Sequence, residues 1–226
     1  MNPTAADFDQ GYFESSYRDY IAQNPPRKVS TYVDVVRSYL PSGRLLEVGC
    51  AFGLYAAAMA RFLDVTASDI SSYAIDEARR LHPGTKVLWV TGQADQAPAS
   101  ESFDGIAAFD VLEHVPELER ETLPTLSRAL RPGGFLFLTV PVYDGPLGLL
   151  VRWLDKDPTH IHKWSRADWK SLAFRQGFVL RDTVGLFRYG LGRRYLFFAS
   201  RLIRKVSPAI LLVLQKPHNT QQDGVP

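Results

Sequence analysis

The chain has a single cysteine, Cys50, in 226 residues. No internal disulfide can form, which suits a reducing cytoplasm. No apolar run reaches the ~20 residues that a membrane span requires. Residues 1–7 have no apolar core, so no secretory signal is expected there. The sequence has no internal repeat and no low-complexity segment. Acidic residues are missing between Thr183 and Gln222, where seven bases stand: Arg188, Arg193, Arg194, Arg201, Arg204, Lys205 and Lys216. The rest of the chain carries nineteen bases and twenty-four acids, so the overall charge of +2 hides a mildly acidic body and a basic C-terminal element. What is present is an ordinary globular composition, 46% hydrophobic and 22% charged, long enough for one α/β domain with a substantial core.

Short apolar runs alternate with helical patterns, which implies βαβ units and a parallel sheet. Strands are expected at Leu45–Val48, Val65–Ser68, Val87–Val90, Phe103–Phe109, Phe135–Val140, Phe178–Val184 and Ile210–Gln215. Helices are expected at Leu54–Phe62, Tyr73–Leu81, Leu118–Leu130 and Arg166–Gln176. Arg131-Pro132-Gly133-Gly134 is a stop-and-turn signal between a helix and a strand. Residues 1–28 read as an N-terminal helical cap holding Tyr12, Phe13, Tyr17 and Tyr20. The polar residues 217–226 read as a flexible tail.

The most informative stretch is Leu45-Leu46-Glu47-Val48-Gly49-Cys50-Ala51-Phe52-Gly53, followed by Ser68-Asp69-Ile70-Ser71. It reads as a strand, a glycine-bearing turn, a helix start, and an acid at the end of the next strand. That arrangement binds a nucleoside-bearing cofactor at the carboxyl edge of a parallel sheet. Dinucleotide turns want glycine at the first, third and sixth positions. Here those positions are Gly49, Ala51 and Leu54, which disfavours a nicotinamide cofactor. Cys50 has no activating base beside it and reads as a small buried residue rather than a nucleophile.

The pattern Glu-Val-Gly-x-Ala-x-Gly resembles motif I of the class I S-adenosyl-L-methionine (SAM) dependent methyltransferases. The resemblance continues through Glu101-Ser102-Phe103-Asp104, Phe109-Asp110-Val111-Leu112-Glu113-His114-Val115, Leu130-Arg131-Pro132-Gly133-Gly134-Phe135 and Val140-Pro141. It reaches back to Tyr12-Phe13, Tyr20 and Arg27-Lys28, and the nearest subgroup is the small-molecule "methyltransferase domain" type. It implies a seven-stranded Rossmann-like sheet, mostly parallel, with the last strand inserted antiparallel and helices on both faces. It implies SAM as methyl donor, with Glu47 positioning the methionyl amino group and Asp69 accepting the ribose hydroxyls. As alternatives, Glu47 could cap a neighbouring turn and Asp69 could cap a helix, although Ser71 suits that second role. Gln93 stands where an adenine-binding Asp is usual, and Ala94 would offer its backbone N–H to the ring; Asp95 competes for the role, and both could be solvated loop residues. Gly49, Cys50, Ala51, Gly53, Ile70, Asp110 and Val111 complete the expected cofactor set. Ala51 replaces a usual glycine, and its methyl group is expected to keep it in the α region.

A hydroxyl acceptor benefits from a general base. His114, His160 and His162 are the candidates, with Asp110 expected at the sulfonium end. In an extended stretch His160 and His162 would face the same side. Each histidine could instead cap a helix or bond a carbonyl. A metal site from Asp155, Asp157, His160 and His162 is conceivable, since some sugar O-methyltransferases use magnesium, but no resident metal is expected. Residues 141–165 and 185–208 are expected to wall the acceptor pocket with aromatic side chains, which core packing explains equally well. Arg193–Val206 reads as a basic, partly amphipathic helix. It could dock on the domain or a dimer partner, meet an anionic membrane or lipid-linked substrate, or bind nucleic acid, which nothing else in the chain supports.

The expected protein is a cytoplasmic SAM-dependent O-methyltransferase, monomeric or homodimeric. Its acceptor would be a hydroxyl of a saccharide, glycolipid or other small metabolite. N- or C-methylation of an amino sugar or a quinone or lipid precursor, and a non-catalytic SAM-binding accessory role, are the alternatives.

Overall fold

Alternation along each strand splits the continuous apolar runs between two faces of one sheet. Leu46, Ile106, Leu136 and Leu212 pack on one face. Their neighbours Leu45, Ala107, Phe137 and Leu211 pack on the other. The structure is a computed structural model, and it describes residues 4–15, 20–93, 101–155, 157–191 and 194–218.

A helical turn at Ala5–Phe8 opens the described chain, followed by α1 (Gln10–Ser15), α2 (Tyr20–Gln23) and α3 (Pro26–Tyr39). Then come β1 (Arg44–Val48), α4 (Leu54–Met59), β2 (Asp64–Asp69), α5 (Ser72–Leu81), β3 (Val87–Thr91) and β4 (Phe103–Phe109). The second half holds α6 (Leu123–Ala129), β5 (Leu130–Pro141), α7 (Gly145–Leu154), α8 (Arg166–Arg175), β6 (Val179–Leu191), β7 (Arg194–Ser200) and β8 (Ala209–Gln215). Strand order in the sheet is β3-β2-β1-β4-β5-β8-β6-β7. Strands β1 to β5 run parallel, and β8 inserts antiparallel between β5 and β6. The Rossmann-like fold is therefore the one expected, with one strand more. Chain order reverses between β1 and β4, and a crevice opens at that point outside the carboxyl ends of the strands.

Two local expectations are corrected. Residues 194–200 form strand β7, not the start of a helix, and pair antiparallel with β6 from Leu191↔Arg194 to Gly185↔Ser200. The reason is a period of two: Phe197 and Ala199 pack on the core while Leu196 and Phe198 face solvent. Only Arg201–Ile203 keeps a helical turn. The second correction concerns α3, a 14-residue helix absent from the expected set, which runs across residue 28. Pro26 opens it, as proline suits a first helical turn. Tyr32 and Val36 are fully buried against the sheet.

Arg166, at the start of α8, ties three segments together. Its guanidinium donates to Asp144 Oδ1 at 2.6 Å, to the Arg204 carbonyl at 3.1 Å and to the Ser207 carbonyl. The loop after β5 and the approach to β8 are thus held to one buried cation. Arg166→Leu is expected to cost about 3 kcal/mol, because it strands Asp144 and two carbonyls. A urea midpoint within error of the parent chain would contradict this role.

Candidate functional site

The turn after β1 is wound by three left-handed residues: Gly49 (φ 68°), Ala51 (φ 45°) and Gly53 (φ 76°). A Cβ on Gly49 would lie 2.3 Å from Val111 Cγ2, so glycine is required there. Ala51 was expected in the α region, and its positive φ is a correction. Asp69 supplies the reason. Its Oδ2 accepts the Ala51 N–H at 2.8 Å, and its Oδ1 accepts the Ser71 N–H at 2.9 Å. The carboxylate therefore holds the turn in a conformation that alanine alone disfavours. Ser71 caps α5 through the Ala74 N–H, as expected of it.

Glu47, next to last in β1, is 1% exposed, and its Oε2 has no hydrogen-bond partner among the described residues. Burial pushes its carboxyl well up, the charge of Asp69 adds to this, and a backbone hydrogen bond from Ala56 opposes it. Asp69 is 8% exposed; burial raises its carboxyl too, against the backbone amides it accepts. Both line a cavity of about 460 Å³ at the reversal point of the sheet.

Beyond β4, Asp110 sits at φ 59° and accepts from Thr139 Oγ1 at 2.8 Å and from the Arg188 guanidinium. Burial alone would raise its carboxyl. Arg188 and Lys28, with the hydrogen bonds from Arg188 and Thr139, hold it below the usual range instead. Lys28 is 5% exposed and its Nζ lies 5.8 Å and 5.5 Å from the ring centres of Tyr32 and Tyr195. Burial lowers its ammonium to about 8, partly offset by Asp110 and reinforced by Arg188.

The far wall of the cavity carries Glu113, His114 and His160. The two imidazole rings stand 4.6 Å apart, centre to centre. His114 Nδ1 bonds Thr159 Oγ1 at 2.8 Å, and His160 Nδ1 bonds Asp155 Oδ2 at 2.9 Å. Burial, then the neighbouring His160, lowers His114 to about 4, so its imidazole is neutral at pH 7. Burial pushes the Glu113 carboxyl well up, and Asp110 adds to the effect.

Glu47, Gly49, Cys50, Ala51, Asp69, Ile70, Gln93, Asp110, Val111, His114 and His160 all line this one cavity. Ala94 and Asp95 lie outside the described residues. Gly53 faces elsewhere: a Cβ there would meet the Trp89 ring at 2.4 Å. His162 also departs from expectation. Its Nε2 bonds the Val115 carbonyl at 2.7 Å and its ring packs 4.3 Å from Trp164, so it does not share the side of His160. Of the aromatic residues in the segments expected around an acceptor, Tyr195 lines the cavity and Trp153 is 77% exposed.

Sequence reasoning had not assigned roles to Lys28, Arg188 or Glu113. No local pattern pairs Arg188 with Asp110 across 78 residues. Glu113, in contrast, sits beside His114 in a motif already singled out.

The residues present fit the methyl donor implied by the sequence. A buried carboxylate near the end of β1, one oxygen of which has no hydrogen-bond partner among the described residues, suits an ammonium group. A second carboxylate, anchored by two amides at the end of β2, has lone pairs left for vicinal hydroxyls.

Residues 16–183 match the family model described as "Methyltransferase domain". The chain is 36% identical over 123 residues to the ubiquinone biosynthesis O-methyltransferase of Xanthomonas campestris pv. campestris, covering 52% of this chain and 50% of that protein. It is 35% identical over 135 residues to the same-named enzyme of Idiomarina loihiensis, covering 53% and 54%. The chain thus spans about half the length of the curated relatives it matches. Among solved structures, a SAM-dependent methyltransferase from Thermotoga maritima superposes with a TM-score of 0.70 at 18% identity, over 91% of this chain and 97% of that one. The 1,6-didemethyltoxoflavin-N1-methyltransferase of Burkholderia thailandensis, solved with 1,6-didemethyltoxoflavin and S-adenosylhomocysteine, superposes with a TM-score of 0.65 at 16% identity, over 94% and 87%.

Lys28 gives the site a pH signature. Its ammonium has a folded pKa of about 8 against an ordinary 10.5. Below pH 8 the fold must keep that charge out of water; between 8 and 10.5 the folded chain sheds a proton that the unfolded chain retains, and stability rises. Lys28→Met should therefore stabilise the protein by up to ~3 kcal/mol at pH 7. The gain should shrink as the pH climbs past 8 toward 10.5. Urea unfolding at pH 7 and at several alkaline pH values measures it; a variant less stable than the parent at pH 7 would refute the assignment.

Proposed function

The chain belongs to the methyltransferase-domain family and is a SAM-dependent methyltransferase; we propose that it O-methylates a hydroxyl of a small-molecule acceptor such as a saccharide, a glycolipid or another metabolite. The observation that carries this reading is the placement of His114, His160 and Glu113 on the same cavity as Glu47 and Asp69. Its curated relatives bear the name O-methyltransferase, which supports the choice of oxygen.

In this reading Glu47 holds the methionyl ammonium, Asp69 the ribose hydroxyls, and Gln93 the adenine edge. Each charge-assisted hydrogen bond contributes ~1.5–3 kcal/mol. Bound SAM supplies an activated methyl group on a sulfonium. The protein must align the acceptor oxygen with it, and positioning of this kind contributes ~7–11 kcal/mol. Asp110 is kept ionised by Arg188 and Lys28 and sits at the sulfonium end. The His114 lone pair receives the hydroxyl proton, with Thr159 and Asp157 fixing the ring behind it. Phe8, Tyr12 and Phe13, from the helical segments ahead of α3, line the cavity and exclude water. Segments 141–165 and 185–208 supply the acceptor side through His160, Arg188 and Tyr195.

The basic element bears on where the acceptor is met. Arg201 docks on its own domain, bonding Asp182 at 2.5 Å. Beyond it Leu202 is 90% exposed and Val206 56% exposed, beside exposed Arg204 and Lys205. An apolar tip ringed by bases is the chemistry of a peripheral contact with an anionic membrane, made from the cytoplasm. Among the described residues no helix is long and apolar enough to cross a membrane.

Calorimetry with S-adenosylhomocysteine should show Asp69→Ala weakening binding tenfold or more; unchanged affinity would reject the donor-site assignment. Radiolabelled methyl transfer to hydroxylated extract fractions should yield an O-methyl product, and a product methylated only at nitrogen or carbon would overturn the oxygen reading. The parent chain should cosediment with anionic vesicles, and Leu202→Asp with Lys205→Glu should abolish this. Absence of vesicle binding by the parent chain would end the membrane reading.

A further inference from the structure

The wall formed by Glu113, His114 and His160 is more elaborate than a lone proton acceptor requires. One ligand atom from each residue lies within 4.8 Å of the other two, and all three residues face the cavity. Small side-chain rotations would bring such a set onto a shell of ~2.0–2.2 Å radius around a cation. Glu113 Oε2 is buried and has no hydrogen-bond partner among the described residues. A buried carboxylate oxygen left unsatisfied calls for a cation or a donor.

The hydrogen bonds behind the rings assign both tautomers. Asp155 only accepts, so His160 Nδ1 carries the proton of their 2.9 Å bond, and Nε2 keeps the lone pair. Tyr143 donates to the same Asp155 oxygen at 2.5 Å, and Lys163 lies 3.2 Å from it. Thr159 gives its hydroxyl proton to Asp157 Oδ1 at 2.6 Å, so its oxygen accepts from His114 Nδ1. His114 therefore also keeps its lone pair on Nε2. An imidazole N–H backed by a carboxylate, directly or through a hydroxyl, is the outer support found behind metal-bound histidines. The two ligand-bearing segments are also pinned together. The amides of Ile161 and His162 both donate to the Glu113 carbonyl, each at 3.1 Å.

We propose that Glu113, His114 and His160 bind one divalent transition-metal cation, with its remaining coordination positions open to the cavity. Two imidazoles and one carboxylate favour zinc, cobalt or manganese over magnesium. This departs from the expectation of no resident metal. It also differs from the ligand set conceivable from sequence: of Asp155, Asp157, His160 and His162, only His160 is a ligand. Asp155 and Asp157 support the rings, and His162 serves the Val115 carbonyl. Binding of the cation stands independently of the acceptor. Its use deepens the O-methylation reading and rests on it: in the metal-bound chain the cation replaces the His114 lone pair in activating the hydroxyl, holding the acceptor oxygen as its oxyanion, and the proton passes to water at an open coordination position.

The test uses the full chain, stripped with EDTA and then titrated with Co²⁺ and Zn²⁺ without acceptor. Calorimetry should give one site per chain, and bound Co²⁺ should show the visible absorption of a nitrogen- and oxygen-ligated ion. Glu113→Gln, His114→Ala and His160→Ala should each abolish or weaken binding at least tenfold. Asp155→Asn, which removes the carboxylate behind His160 but no ligand, should weaken it ~10–100-fold. S-adenosylhomocysteine affinity, unchanged in these variants, certifies that they are folded. No stoichiometric binding by a parent chain that binds S-adenosylhomocysteine overturns the proposal, and so does binding that survives the His114→Ala, His160→Ala double variant. The two readings fail separately. O-Methyl transfer by metal-free chain in EDTA rejects the cation's use in the reaction and leaves O-methylation standing. One bound Co²⁺ alongside an N-methyl product does the reverse.

Discussion

The Asp69 carboxylate is the clamp on which the donor half of the molecule depends. One oxygen holds the turn after β1 and the other holds the turn after β2. Without it Ala51 has no reason to remain at positive φ, and the path from β1 into α4 loses its shape. The clamp requires an ionised acceptor buried at the edge of the sheet, and burial opposes ionisation. Two backbone amides meet that cost locally. The same fixed carboxylate also lines the cavity, so in the proposed reading fold and ligand recognition draw on one group.

A similar economy runs along the whole carboxyl edge. Glu47, Asp69, Asp110 and Glu113 are concentrated around one cavity of about 460 Å³, where burial opposes the charge of each and neighbouring acids push Glu47 and Glu113 further up. Only Asp110 has cationic neighbours close enough to keep it below its ordinary range, Arg188 among them from β6 and Lys28 from α3. That difference separates roles. Arg188 and Lys28 favour the charged form of Asp110, whereas burial favours the neutral form of Glu113.

The donor half was legible because its signals are local. The glycine turn, Asp69 and Ser71 lie within one βαβ unit, and the strands alternate in an order that only a parallel sheet accommodates. The acceptor half is assembled across the chain and was only partly readable. Arg188 reaches Asp110 from β6, and Lys28 reaches it from a helix that was not anticipated. Strand β7 was misread because bases among aromatic residues satisfy a loose helical pattern as well as a strict period of two. Ala51 departs from its own propensity because Asp69, twenty residues after Gly49, accepts its amide and overrides it.

The two histidines of the 157–164 loop show how backbone register decides chemistry. In an ideal extended chain His160 and His162 would share a side. Here the amides of Ile161 and His162 both bond the single carbonyl of Glu113, which bends the loop around that oxygen. The bend sends His162 to the Val115 carbonyl and the tryptophans, and leaves His160 beside His114. Glu113 thus acts twice: its backbone sorts the loop histidines, and its side chain faces the cavity with the one that stays. Two of three histidine candidates converge for that reason, and the third becomes structure. Any relative that lacks this carbonyl fork has no cause to keep the same pair, whatever its loop sequence.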